Sequence, residues 1–181
     1  MESSESGISL YLSLRDQIQT ADLIEFRAES PLGYAIRWFT KMPVNHTAGA
    51  MLYQLVGDTE IRRYVAEANE TDFGLAYLSK KLEGYKGRVY LLKLKPEHDS
   101  LRNVVAKEAQ MFEHVKYDYL SLLRNAFSPV KIDGKRVYCS EAWHIAIVRA
   151  GLLPPEFNGG NGLRPGEFDR TQLFLAPTRI Y

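Results

Sequence analysis

The chain has 181 residues, 45% of them hydrophobic and 25% charged, with a formal net charge of +1. Length and balance read as one globular domain over residues 1–181 with a sizeable core, and nothing in them calls for a polyelectrolyte partner such as nucleic acid. One cysteine cannot close an internal disulfide, which fits a reducing compartment.

The N-terminal "MESSESGISLYLSLRDQIQ" begins acidic and polar, and Arg15 and Asp16 break its apolar stretch. It lacks the basic start, long apolar core and small-residue cleavage site of a secretory signal. No run approaches the ~18 apolar residues of a membrane span. A soluble, cytoplasmic protein with no membrane span is expected. Residues 7–19 read as a first helix, outside a core of about 20–181, and "DLIEF" (22–26) as a strand. Ser30-Pro31 is an N-cap followed by proline at the first helical position, opening a helix through Lys41. "HTAGAMLYQL" (46–55) suits a strand, "VGDTE" a turn, and "IRRYVAEAN" (61–69) its antiparallel return. The basic pairs Arg62-Arg63 and Lys80-Lys81 read as solvated surface.

Residues 72–84 are read as helical, and "RVYLLKLK" (88–95) as a strand ended by Pro96. Asp99 or Ser100 caps a helix over 100–114, a second helix follows over 117–127, and Asp133-Gly134 marks a turn. A helix over 139–150 then stops at Gly151, with Pro154-Pro155 beyond. "NGGNG" (158–162) is a loop, and the tail "TQLFLAPTRIY" adds a last strand. Helices interspersed with antiparallel strands give an α+β fold class.

The lone cysteine stands at the mouth of that last helix, in "VYCSEAWHIAIVRAGL" (137–152). Ala142, Trp143, Ile145, Ala146, Ile147, Val148 and Ala150 leave almost no polar face, so the helix belongs in a core. At its first turn the backbone N–H groups lack partners and partial positive charge collects. A thiol there has its pKa pulled below about 8.5, and the same N–H groups can hold an oxyanion. Cys139 is therefore a candidate nucleophile, although free cysteine is also among the most often buried residues. A thiolate needs a histidine base and an orienting group. His144 sits mid-helix and points elsewhere, while His98 and His114 read as surface. His46 opens a strand of small residues, and antiparallel pairing about Gly57-Asp58 sets Glu67 and Asn69 near it. Either could hold its second ring nitrogen.

"DLIEF", "IRWFT", "NHTAGAMLY", "VAEA", "YDYLSLL" and "VYCSEAWHIAIVRAGL", in that order, together resemble the permuted NlpC-type, papain-like cysteine peptidases and amidases, above all the YiiX-like branch. The tail "RPGEFDRTQLFLAPTRIY" is similar to the family's ending, and the likeness spans roughly 20–181. Ala21, where glycine usually precedes the first strand, and Asn45-His46-Thr47, where Ser-His-Val is commoner, depart from the pattern. The resemblance implies a circularly permuted papain-like fold, an antiparallel sheet packed on a central helix that carries the cysteine. It implies Cys139 as nucleophile, His46 as base and Glu67 as the orienting residue.

The expected chemistry is hydrolysis of an amide bond in a small peptide, cell-wall-derived peptides among the candidates, through an acyl-enzyme. The Cys139 N–H would hold the oxyanion, with Tyr138 or Tyr53 as assisting side-chain donors. Dispersed histidines and one cysteine lack ligand spacing, so no metal or cofactor is expected. Two alternatives stand. One is an acyltransferase or lipid hydrolase resembling lecithin retinol acyltransferase, for which Trp38, Phe39 and Tyr119 would be compatible. The other is a non-catalytic ligand-binding module.

Overall fold

The computed structural model describes residues 2–57, 59–68, 73–113 and 139–181, and for residues 2–6 and 139 it describes the backbone. The order is α1 (Glu2–Leu14), β1 (Leu23–Ala28), α2 (Pro31–Thr40), β2 (His46–Tyr53), β3 (Arg62–Ala68), β4 (Phe73–Tyr77), α3 (Leu78–Leu82), β5 (Gly87–Leu92), α4 (Arg102–Gln110), α5 (Cys139–Arg149) and β6 (Thr178–Arg179). The expected helix at 117–127 and the turn at Asp133-Gly134 lie outside the described residues.

The six strands form one antiparallel sheet, ordered β4-β3-β2-β1-β5-β6. Successive side chains alternate between its faces, and both faces are covered. On one, Leu23, Met51, Ala66 and Ala68 pack with Val105 and Ala109 of α4 and Trp143, Ala146 and Ile147 of α5. On the other, Ile24, Phe26, Ala48, Ala50 and Val65 pack with Tyr11 of α1 and Leu78 and Leu82 of α3.

Local sequence explains most boundaries. Ser30 Oγ accepts the Gly33 N–H at 3.1 Å, with Pro31 following it, so α2 starts where the cap places it. Gly151 follows α5 with φ +78°, the left-handed stop that glycine adopts without strain. Two expectations are corrected. Residues 72–84 are not one helix but the strand β4 and the one-turn α3, because "FGLAY" pairs with β3 from Tyr64↔Tyr77 to Ala68↔Phe73. The helix expected over 100–114 begins as a 3-10 turn at Pro96–Leu101 and is α-helical over Arg102–Gln110. The tail supplies the expected last strand as two residues, Thr178–Arg179 on β5.

Helix α5 sits directly on the sheet. A Cβ on Gly49 would lie 2.0 Å from the Trp143 ring, and Trp143 Nε1 donates to Ala66 O at 2.9 Å. Arg149, at the far end of α5, reaches Glu108 of α4 at 3.7 Å and stacks on Phe112. Gln110, closing α4, bonds the Tyr53 hydroxyl at the end of β2. So α5 packs on β2 and β3 through Trp143, and its last residue lies against α4.

A buried ion pair ties strand to helix on this face. Asp22, fully buried, accepts from Arg102 Nη1 at 2.7 Å and from the Leu94 and Gln19 N–H groups. Arg102 also donates to Thr20 O and Leu94 O. Burial pushes the Asp22 carboxyl up despite the guanidinium beside it.

Candidate active site

His46 and Glu67 meet as expected. His46 Nε2 lies 2.5 Å from Glu67 Oε2, and Lys81 Nζ donates to Glu67 Oε1 at 2.5 Å. Register explains the contact. Gly49 pairs with Ala66, which sets Glu67 diagonally from His46 across the pair of strands. The Phe26 ring packs beside both, 5.5 Å from the imidazole and 5.0 Å from the Lys81 ammonium. Burial would push the Glu67 carboxyl up, but His46 and Lys81 outweigh it and hold the group below the usual carboxylate range. Asn69, the other expected partner, lies outside the described residues. Lys81, half of a pair read as solvated surface, instead completes this cluster.

The pleat separates this pair from the cysteine helix. Gly49 and Met51 face α5, so Thr47 faces it too. His46, Ala48 and Ala50 face the other cluster, with Phe26 and α3. The sheet brings His46 and Glu67 together on one face, and α5, whose first residue is Cys139, packs on the other. On the face that α5 covers, the strand begins with a threonine, Thr47.

Tyr53 closes β2 about 20 Å of strand from Thr47, where its hydroxyl bonds Gln110 and Met51 Sδ and its ring packs on Tyr64. Tyr138, His114 and Tyr119 lie outside the described residues. His144 is buried, as expected, with Nδ1 lacking a hydrogen-bond partner among the described residues, and burial holds its pKa down. Trp38 is 75% exposed and stacks edge-on against Phe39.

Beside Thr47, on the α5 face, lies a group the sequence reading passed over. Glu25 is the one charged residue in "DLIEF" after Asp22, and it pairs with Thr47 on β2 and Tyr90 on β5. It is 4% exposed, and its Oε1 accepts the Gly166 N–H at 3.0 Å. Burial pushes its carboxyl up to about 7, with the Gly166 bond opposing and nearby Asp169 assisting. Thr47 is fully buried, and its hydroxyl has no hydrogen-bond partner among the described residues. The signal was a lone carboxylate inside an apolar strand.

The raised Glu25 pKa fixes a sign for stability. Its folded pKa lies above the unfolded value of 4.5, so its contribution is fully present below pH 4.5 and lost as pH rises through 7. The loss is about 3 kcal/mol. Urea unfolding of the wild type should therefore weaken between pH 5 and pH 8, and Glu25→Gln should remove that decline. Identical pH profiles for the two proteins would show that Glu25 is not buried as described.

The arrangement is an α+β architecture with a six-stranded antiparallel sheet, and it is a YiiX-like fold. The crystal structure of the metalloprotein yiiX from Escherichia coli O157:H7, DUF1105, superposes with a TM-score of 0.61 at 18% identity, over 91% of this chain and 97% of that one. No protein-family model matches the sequence, and no curated protein does.

Proposed function

We propose that the chain is a cysteine hydrolase of circularly permuted papain-like architecture, cleaving an amide bond in a small peptide, with Cys139 as nucleophile. The observation that carries this reading is the seat of Cys139 at the start of the buried helix α5 in a YiiX-like fold. There the thiolate is favoured by the unpaired N–H groups and partial positive charge of the first turn. Cys139 Sγ attacks the carbonyl carbon, the same N–H groups hold the oxyanion, and the amine leaves with a proton. Water then cleaves the thioester. Among the described residues no three His, Cys, Asp or Glu side chains gather as a metal site, and no step of this reading passes through a metal.

A second reading, a ligand-binding module that kept the fold, is favoured by Thr47, not a histidine, facing α5. The test offers purified protein a panel of short peptides, wall-derived ones included, beside phospholipid vesicles and acyl esters. Amide cleavage that vanishes in Cys139→Ala supports the hydrolase. Cys139-dependent acyl transfer with every peptide intact makes it an acyltransferase. Peptide binding unchanged in Cys139→Ala, with no turnover, makes it a binding module.

A further inference from the structure

We propose that α2 lays its outer face on an anionic phospholipid surface. The helix is inside-out. Gly33 and Arg37, one turn apart, form its buried face. A Cβ on Gly33 would lie 2.7 Å from Ala28 O, so this face is pressed against the end of β1. Arg37 is the one charged residue of α2, yet it is 8% exposed and donates to Ala28 O at 2.5 Å and to Asn45 Oδ1 at 3.3 Å. Pro31, Ala35 and Trp38, spaced i, i+4 and i+7, run down the opposite face. Leu32 and Tyr34 flank them, and Leu32, Tyr34 and Trp38 are each exposed by half or more. A surface helix ordinarily shows the reverse arrangement, with its charge outward and its apolar stripe on the core.

Size and charge choose the occupant. Leu32, Tyr34 and Trp38 together expose roughly 350 Å² of side chain. A stable dimer or a standard protein interface buries about 800 Å² on each side, so this stripe by itself is too small to hold a second copy of the chain. A bilayer needs no matching partner surface, and Trp and Tyr rings settle at its headgroup level. The charges around the stripe complement anionic headgroups. Helix α2 has no acidic residue, and exposed Lys41 follows directly at its C-terminal end. Arg27 reaches the same turn, with Nη1 donating to Pro43 O at 3.0 Å. Glu29, the nearest acidic residue along the chain, is matched by exposed Lys86, whose backbone O accepts the Glu29 N–H. The rim is therefore cationic on balance, and each cation near an anionic leaflet adds to the attraction. None of this depends on Cys139.

The test is co-sedimentation of the purified chain with vesicles of phosphatidylcholine alone and of phosphatidylcholine with phosphatidylglycerol in equal parts. Tryptophan emission is followed in parallel, and near-ultraviolet circular dichroism checks the fold of each variant. Partition onto the mixed vesicles should exceed that onto phosphatidylcholine alone about tenfold. Emission should shift to the blue as Trp38 leaves water, because Trp143 is already buried. Trp38→Ala should cut partition about tenfold, whereas Trp38→Phe should stay within about threefold of wild type and lose the blue shift. Lys41→Asn, a residue that suits the left-handed φ of +55° there, should weaken binding about fivefold on the mixed vesicles only. No sedimentation with either vesicle overturns the inference, and so does wild-type binding by Trp38→Ala. Equal binding to the two vesicles overturns the anionic surface. Concentration-dependent dimers that vanish in Trp38→Ala, with vesicles left unbound, overturn the membrane in favour of a second copy. Cys139→Ala should bind vesicles as the wild type does, so failure of peptide cleavage and failure of vesicle binding are read separately.

Discussion

Replacing Arg102 with alanine should cost about 3–5 kcal/mol of folding stability. The change leaves the Asp22 carboxyl fully buried with two backbone N–H donors and no cation, and it also strips the Thr20 and Leu94 carbonyls of a donor. An uncompensated charge in a core is far more damaging than the absence of the whole pair. The double replacement Asp22→Asn, Arg102→Met should therefore recover most of the loss. Equilibrium urea unfolding of the three proteins decides it. A single variant within 1 kcal/mol of wild type would show that this pair does not clamp β1 to α4.

The second large effect is expected at Gly49. Valine there drives its Cβ into the six-membered ring of Trp143, at 2.0 Å in the unrelaxed structure, so α5 must lift from the sheet or the indole must turn out. Either response breaks the Trp143–Ala66 hydrogen bond. Overpacking and the lost bond together should cost about 3 kcal/mol. The reporter is intrinsic, because the two tryptophans differ: Trp143 is fully buried and Trp38 is 75% exposed. Gly49→Val should shift emission to the red and lower the unfolding midpoint, whereas Gly49→Val with Trp143→Leu should be milder. An unchanged midpoint in the single variant would mean α5 does not rest on β2 at this point.

Much of this architecture was legible before the structure. Ser30-Pro31 fixes the start of α2, "RVYLLKLK" carries β5, and the all-apolar segment after Cys139 reads as the core helix it is. Failures occurred where local pattern was weak. "FGLAY" has neither strong alternation nor β-branched residues, and its strand state comes from pairing with β3, a tertiary effect outside its own letters. "HTAGAM" is small on both faces, so its sequence holds no cue to which parity faces the helix. The His46–Glu67 contact survived that ambiguity because both residues move together when a face is reassigned. The link to Cys139 rests on that parity. Asp22 and Glu25 stood in plain view as carboxylates in an apolar strand, but their consequence depends on Arg102 and Gly166, far along the chain.

The alternation along β2 has an evolutionary reading. Positions 46 and 47 are adjacent codons, yet their side chains inhabit two interiors divided by a layer of backbone. A lineage that exchanged histidine and threonine there would keep its length, composition and strand. It would nonetheless have moved an imidazole from the Phe26 side to the Trp143 side. Descent with such a swap looks like near-identity in the genome and like a change of trade in the cell.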